Sequence, residues 1–234
     1  MSGRTIVVTG GFGALGSVVG RVFAQHGDRV ALLGHKEPPA QLVAEFAQQH
    51  LVKGGVDLAD RASAQSAMQA VVARLGRLDV LVNVAGGFKA APLQQSGPEL
   101  WDVMYAMNLK TTVSASHAAL PHLFARGQGS IVNVSAAAAL ERARVGMGAY
   151  TASKSGVVRF TESLADELKD RGITVNAVLP GTIDTPQNRA DMPKADVSRW
   201  VAPESIAEVI VFLASDSADR KSTRLNSSHP YRSR

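Results

Sequence analysis

The chain has 234 residues, 45% of them hydrophobic and 5% aromatic, with 25 Lys and Arg, 20 Asp and Glu, and no cysteine. That length suits one α/β domain with a sizeable core and is short for two. The absence of cysteine excludes disulfides and thiolate metal sites, and no other metal site is expected. No apolar run approaches membrane-spanning length and no signal peptide precedes the first strand, so a cytoplasmic protein with no membrane partner is expected. The formal charge of +5 does not describe a basic face. From Asp219 onward five basic residues stand against one acid, which leaves the rest of the chain at +1 and argues against a nucleic-acid partner.

In chain order, residues 5–8 (Thr-Ile-Val-Val) form a short apolar run ending in Thr9-Gly10-Gly11-Phe12-Gly13-Ala14-Leu15-Gly16. A helical pattern follows through Val18, Val19, Val22 and Phe23. A strand, a glycine-rich turn and a helix in that order are the context a dinucleotide-binding fingerprint needs: glycines let the backbone approach a pyrophosphate, and the helix N-terminus faces its charge. Residues 29–33 read as a second strand, with Gly34-His35-Lys36 at its end. A site selective for NAD usually places an acid there for the adenosine ribose, whereas Lys36 suits a 2′-phosphate, so NADP(H) is favoured over NAD(H). Residues 41–49 look helical, 51–56 look like a strand leading to Asp57-Leu58, and 61–75 form an amphipathic helix. Residues 78–82 read as the next strand, ending in Asn83-Val84-Ala85-Gly86. A long helix over 100–119 contains Asn108, a fifth strand covers 130–134, a helix covers 150–170, a sixth strand covers 173–178, and an amphipathic helix covers 203–214. Strands alternating with helices imply one doubly wound, Rossmann-type α/β domain over residues 1–218, with a parallel sheet and right-handed crossovers.

On the helix over 150–170, Tyr150 and Lys154 are four residues apart and project from one face. An ammonium beside a phenol favours the phenolate and lowers its pKa, which gives a general acid or base usable near neutral pH.

Taken together, residues 9–16, Asp57-Leu58, 83–86, Asn108, 150–154 and 180–185, in this order and spacing, resemble the short-chain dehydrogenases/reductases over residues 4 to about 218. The resemblance implies an NAD(P)-dependent oxidoreductase moving hydride between nicotinamide and a small carbonyl or alcohol. In it, Tyr150 is the proton donor or acceptor, Lys154 binds the nicotinamide ribose and lowers the tyrosine pKa, and Asn108 holds a water in the proton relay. Gly10, Gly13, Leu15 and Gly16 border the pyrophosphate, His35 and Lys36 the adenosine ribose, and Asp57 and Leu58 the adenine. Asn83, Ala85 and Gly86 support the cofactor side of their strand, and Pro180, Gly181, Ile183 and Thr185 lie against the nicotinamide.

This chain departs from the family pattern at two places. Ala14 stands where the middle glycine is common, although Gly10, Gly13 and Gly16 keep a spacing found in the family. The serine that polarises a substrate carbonyl belongs three residues past Asn133, where this chain has Ala136; Ser135, one residue early, or a water is the candidate substitute, and Ser135 otherwise satisfies backbone groups as a strand-end serine. That departure, with the loop from Leu179 to Trp200, resembles dihydropteridine reductases, which also work with the Tyr/Lys pair and no serine, so quinonoid dihydropterin reduction is the alternative. A non-catalytic cofactor-binding scaffold is a reading of another class, against which the retained Tyr150, Lys154 and Asn108 argue. Residues 182–202 are expected to be a substrate lid.

Residues 219–234 lack apolar periodicity and are expected to be a disordered, non-native tail, similar to an in-frame translation of a sequencing-library adapter. The sheet is therefore expected to have six strands, the family's seventh being lost. The resemblance further implies a homodimer through the helices over 100–119 and 150–170, and a tetramer in the full-length natural form.

Overall fold

A computed structural model describes residues 3–215 and 218. Six parallel strands form one sheet: β1 (Thr5–Thr9), β2 (Arg29–Leu33), β3 (Leu51–Lys53), β4 (Val80–Asn83), β5 (Gly129–Val134) and β6 (Ile173–Val178), in the order β3-β2-β1-β4-β5-β6. The helices are α1 (Ala14–Gln25), α2 (Ala40–Glu45), α3 (Arg61–Leu75), α4 (Leu93–Ser96), α5 (Glu99–Met104), α6 (Thr111–Arg126), α7 (Gly148–Leu168), α8 (Pro186–Asp191) and α9 (Pro203–Leu213). The expectations for residues 219–234, and the loss of a seventh strand with them, lie outside the described residues; among these, β6 is bonded to β5 alone.

The central strands are apolar on both faces because both faces are covered. Ile6, Val8, Val30, Leu32, Val80, Val82 and Val132 pack with Leu15, Val19 and Phe23 of α1 and with Ile206 and Ile210 of α9. The alternate residues Val7, Ala31, Leu33, Leu81 and Ile131 face Met68 and Val71 of α3, Ala115 and Leu123 of α6, and Leu164 of α7. The order turns back between β1 and β4, the place where doubly wound sheets open a crevice beyond the carboxyl ends of their strands. Every loop that the sequence marks as functional follows one of those ends.

Three elements differ from expectation. The helix over 100–119 is not one α-helix: a π-helical stretch, Tyr105–Lys110, separates α5 from α6. The strand over 51–56 stops at Lys53, because Gly54 and Gly55 follow and Gly55 takes a positive φ of 68°. The lid over 182–202 is partly ordered by α8, whose start is fixed by Thr185 as its N-cap and Pro186 in its first turn. Its two ends are joined where Val201 N–H donates to the Thr182 carbonyl and Asp184 N–H to the Val201 carbonyl, both at 2.9 Å.

Candidate active site

The loop between β1 and α1 is shaped by close approach. Thr9 Oγ1 accepts the amide N–H groups of Val84 and Ala85, both at 3.1 Å, which draws the end of β4 against the end of β1. Gly10 has φ 63°, and a Cβ there would lie 2.8 Å from the Ala85 nitrogen. A Cβ on Gly16 would collide with the Gly10 carbonyl. Only glycine meets these two constraints. Helix α1 opens at Gly13 with no side-chain cap and no acid in its first turn, so its first amides point, unpaired by side chains, into the crevice where a pyrophosphate would be held. Leu15 is buried and packs into the core on the α1 face of the sheet.

At the end of β2, His35 and Lys36 are exposed, whereas Gly34 is buried. Asp57 is exposed and its Oδ1 accepts the Ala59 N–H at 2.8 Å, while Leu58 turns into the core beside α3. Of this pair only Asp57 presents a side chain at the surface.

Tyr150 and Lys154 lie in the first two turns of α7. Lys154 is buried, and its Nζ donates to the Val134 carbonyl at 3.0 Å. Burial pushes its pKa down to about 8. A Cβ on Gly86 would lie 3.3 Å from Lys154 Nζ and 2.6 Å from Asn108 Oδ1, so Gly86 is the small residue that leaves this ammonium room. The expected lowering of the phenol pKa by the ammonium is reversed here: burial raises the Tyr150 pKa, and the ammonium bonds to a carbonyl of β5 instead. The Tyr150 ring meets Phe88 edge to face, with centroids 4.9 Å apart, and Phe88 is 59% exposed. Phe88 thus forms an open apolar wall beside the phenol. The loop carrying it is tied across the mouth by the Ala91 N–H bond to the Gly146 carbonyl at 3.0 Å.

Asn108 is fully buried in the π-helical stretch, a local departure frequent at functional sites. Its Oδ1 accepts the Gly87 N–H at 2.9 Å, and its Nδ2 donates to Ser153 Oγ at 3.0 Å. Ser153 Oγ in turn donates to the Tyr150 carbonyl at 2.7 Å. Sequence reasoning passed over Ser153; its signal was its place between Tyr150 and Lys154, three residues past the tyrosine whose carbonyl it reaches. Asn83 is likewise buried, donating to Asn133 Oδ1 at 2.9 Å and to Ser116 Oγ at 3.1 Å, which braces β4 against β5 and α6.

Ser135 is buried and its Oγ donates to the Lys154 carbonyl at 2.8 Å, so its hydroxyl is committed to α7. Ala136, also buried, brings no polar side chain. On the lid side, the Pro180 carbonyl accepts the Ala137 N–H at 2.8 Å, and Gly181 is exposed with open space around its Cα. Thr185 Oγ1 accepts the Asn188 N–H at 3.1 Å, and Asn188 Nδ2 donates to the Ile183 carbonyl at 2.8 Å. The structure therefore brings Lys154, Asn108 and Gly86 together, with Tyr150 one turn earlier on α7 and its ring against Phe88, and with Gly10 and Ala85 in contact; Thr185 and Ile183 are tied to each other through Asn188.

The family model described as short chain dehydrogenase matches residues 4–196. The chain is 36% identical over 231 residues to the 3-oxoacyl-[acyl-carrier-protein] reductase FabG of Thermotoga maritima, covering 92% of each chain. It is 34% identical to the D-threitol dehydrogenase of Mycolicibacterium smegmatis over 230 residues, covering 93% of this chain and 88% of the relative. A solved short-chain type dehydrogenase/reductase from Mycobacterium ulcerans superposes with a TM-score of 0.85 at 30% identity, covering 93% of this chain and 86% of that one. The chain belongs to the short-chain dehydrogenase family of oxidoreductases.

Proposed function

We propose that the protein is an NAD(P)-dependent oxidoreductase that interconverts a carbonyl and an alcohol, with Tyr150 exchanging the proton. The observation that carries this reading is the buried Lys154 ammonium, beside Asn108 and against Gly86, on the helix that carries Tyr150. A lysine held in such a place without a carboxylate partner among the described residues costs stability and is characteristic of functional sites. The uncapped start of α1, the glycine contacts at residues 10 and 16 and the space beside Gly86 fit a nicotinamide dinucleotide. Such a cofactor, when bound, supplies or accepts a hydride at its nicotinamide ring. In the reductive direction Tyr150 Oη gives its proton to the substrate oxygen as the carbonyl carbon gains the hydride, leaving an alcohol. The raised phenol pKa keeps that proton in place at neutral pH. At pH 7 Lys154 is mostly protonated and would hold a ribose hydroxyl of the cofactor when one is bound. Asn108 anchors the proton relay and, through Ser153, holds the turn that carries Tyr150. We assign Ser135 to bracing α7 rather than to the substrate. Gly34 without an acid and the exposed Lys36 favour NADP(H).

A second reading follows from the same serine. With Ser135 committed and Ala136 apolar, nothing on this strand end replaces the usual hydroxyl at the substrate carbonyl. A quinonoid dihydropterin takes hydride readily and needs less polarisation, so it suits this site as acceptor. Oxidation of NADH and NADPH by the purified full chain, with ketones and aldehydes beside a quinonoid dihydropterin, separates the readings. Carbonyl turnover supports the first, turnover of the pterin alone supports the second, and nucleotide binding without any turnover would leave only a scaffold. The protein is also proposed to dimerise through α5, α6 and α7, covering the exposed Val103, Tyr105 and Val113.

A further inference from the structure

We propose that Phe12 is a specificity-determining residue: its ring, seated on Gly34, takes the volume of the acid that would select NAD(H), and so directs the site to 2′-phosphorylated adenosine. The proposal rests on the dinucleotide reading above and adds the cause of the choice. Position 34 follows β2, 24 residues past Gly10, where an acidic side chain would bond the adenosine ribose hydroxyls. Here the position is filled. A Cβ built on Gly34 would overlap Cδ2 and Cε2 of Phe12 and lie 2.8 Å from its Cγ.

Neither partner is free to withdraw in place. The Gly34 N–H donates to the Lys53 carbonyl at 3.0 Å, and the Gly34 carbonyl accepts the Val56 N–H at 3.0 Å, so its backbone is pinned to the chain beyond β3. Phe12 is half-buried and packs on the apolar cluster that faces α1. It also belongs to the phosphate loop, between Gly11 and Gly13. A side chain on residue 34 must therefore displace the Phe12 ring from its present seat beside the phosphate loop.

The charged or titratable residues of the segments that meet at this corner are the exposed His35, Lys36, Glu37 and Asp57 and the half-buried Lys53. The 35–37 turn is backed by Gly54, on which a Cβ would approach the Lys36 carbonyl to 2.6 Å and the Glu37 Cα to 3.2 Å. A free 2′-hydroxyl thus finds an aromatic ring where a carboxylate acceptor would stand. A 2′-phosphate meets no anion from residue 34 and has the Lys36 ammonium within the same turn, a charge-assisted partner.

Two probes without a nicotinamide, 2′,5′-ADP and 5′-AMP, test this by calorimetric titration of the full chain, independent of turnover. The unmodified protein is expected to bind 2′,5′-ADP at least about tenfold more tightly, the ratio a single charged contact supplies. Gly34→Asp is expected to lose both probes, because displacing Phe12 disturbs the loop between Gly11 and Gly13. Phe12→Ser with Gly34→Asp is expected to regain 5′-AMP and reverse the preference. Lys36→Gln, on the surface and without consequence for folding, is expected to weaken 2′,5′-ADP about tenfold and leave 5′-AMP unchanged. The proposal is overturned if Gly34→Asp alone reverses the preference, if the double variant keeps the original one, or if Lys36→Gln changes neither probe. Equal binding of the two probes by the unmodified protein overturns the role of Phe12 and leaves the cofactor reading standing. Binding of neither probe overturns both.

Discussion

Replacing Lys154 by methionine is expected to abolish hydride transfer and at the same time raise the stability of the protein at neutral pH. Lys154 is buried with no carboxylate partner among the described residues, and its pKa falls from 10.5 to about 8. Holding the ammonium in the folded state therefore costs about 3 kcal/mol, by the usual conversion of a pKa displacement into free energy. Methionine fills a similar volume without that cost, but it leaves the Val134 carbonyl without the Nζ bond, a loss of about 1–2 kcal/mol. The net gain is about 1–2 kcal/mol at pH 7, or about 2–8 °C in Tm for a chain of this size. The gain depends on pH. Because the folded pKa is depressed, the unfolded chain binds this proton more tightly between about 8 and 10.5. The penalty is full below the folded value and fades as pH rises towards the unfolded one, reaching about 2 kcal/mol at pH 9. The advantage of Lys154→Met is thus expected to vanish near pH 9. Thermal melts of both proteins at pH 7 and pH 9, beside cofactor oxidation assays, check this. A variant less stable than the parent at pH 7, by the same margin at both pH values, would refute the reasoning and make Lys154 a structural residue.

Gly86→Ala is expected to remove activity with only a modest stability loss, about 1–3 kcal/mol, because the new methyl meets Asn108 Oδ1 at 2.6 Å and Lys154 Nζ at 3.3 Å; unchanged turnover in an otherwise folded variant would show that this corner is not part of the site. In solution, light scattering is expected to give a dimer that Tyr105→Glu with Val113→Glu converts to a monomer. A monomeric parent protein would end that proposal.

Much of the fold could be read from the chain because its elements announce themselves locally. The apolar runs at 5–8, 29–33 and 130–134 are strands buried on both faces, 173–178 is an edge strand among the described residues with its alternate side chains partly exposed, and the glycine-rich turn after the first leads into a helix. The Tyr150/Lys154 spacing likewise needed nothing but helical geometry. What escaped were features that arise between distant segments. Nothing in Tyr-Ala-Met-Asn-Leu-Lys marks a π-helical stretch, which goes with the docking of Leu109 on Gly156 of α7 and the engagement of Asn108 with Gly87 and Ser153. The seating of Phe12 on Gly34 joins two loops that the sequence treats separately. The sign of the Tyr150 displacement escapes the sequence for a related reason: the charge four residues away is evident there, whereas burial, which raises the pKa, is a property of the packed site. Helix α8 is a different case, since Thr185-Pro186 is a helix start recognisable in the sequence within the lid segment.

The most direct test of the account compares the full chain with Tyr150→Phe, which keeps the ring against Phe88 and removes only the hydroxyl that carries the proton. Initial rates of NADPH and NADH oxidation are measured with the carbonyl panel and the quinonoid dihydropterin, and binding of 2′,5′-ADP is measured alongside. The account predicts a rate lower by about 10²–10⁴ with nucleotide binding unchanged. Turnover that survives in Tyr150→Phe would contradict it, because the proton would then come from elsewhere.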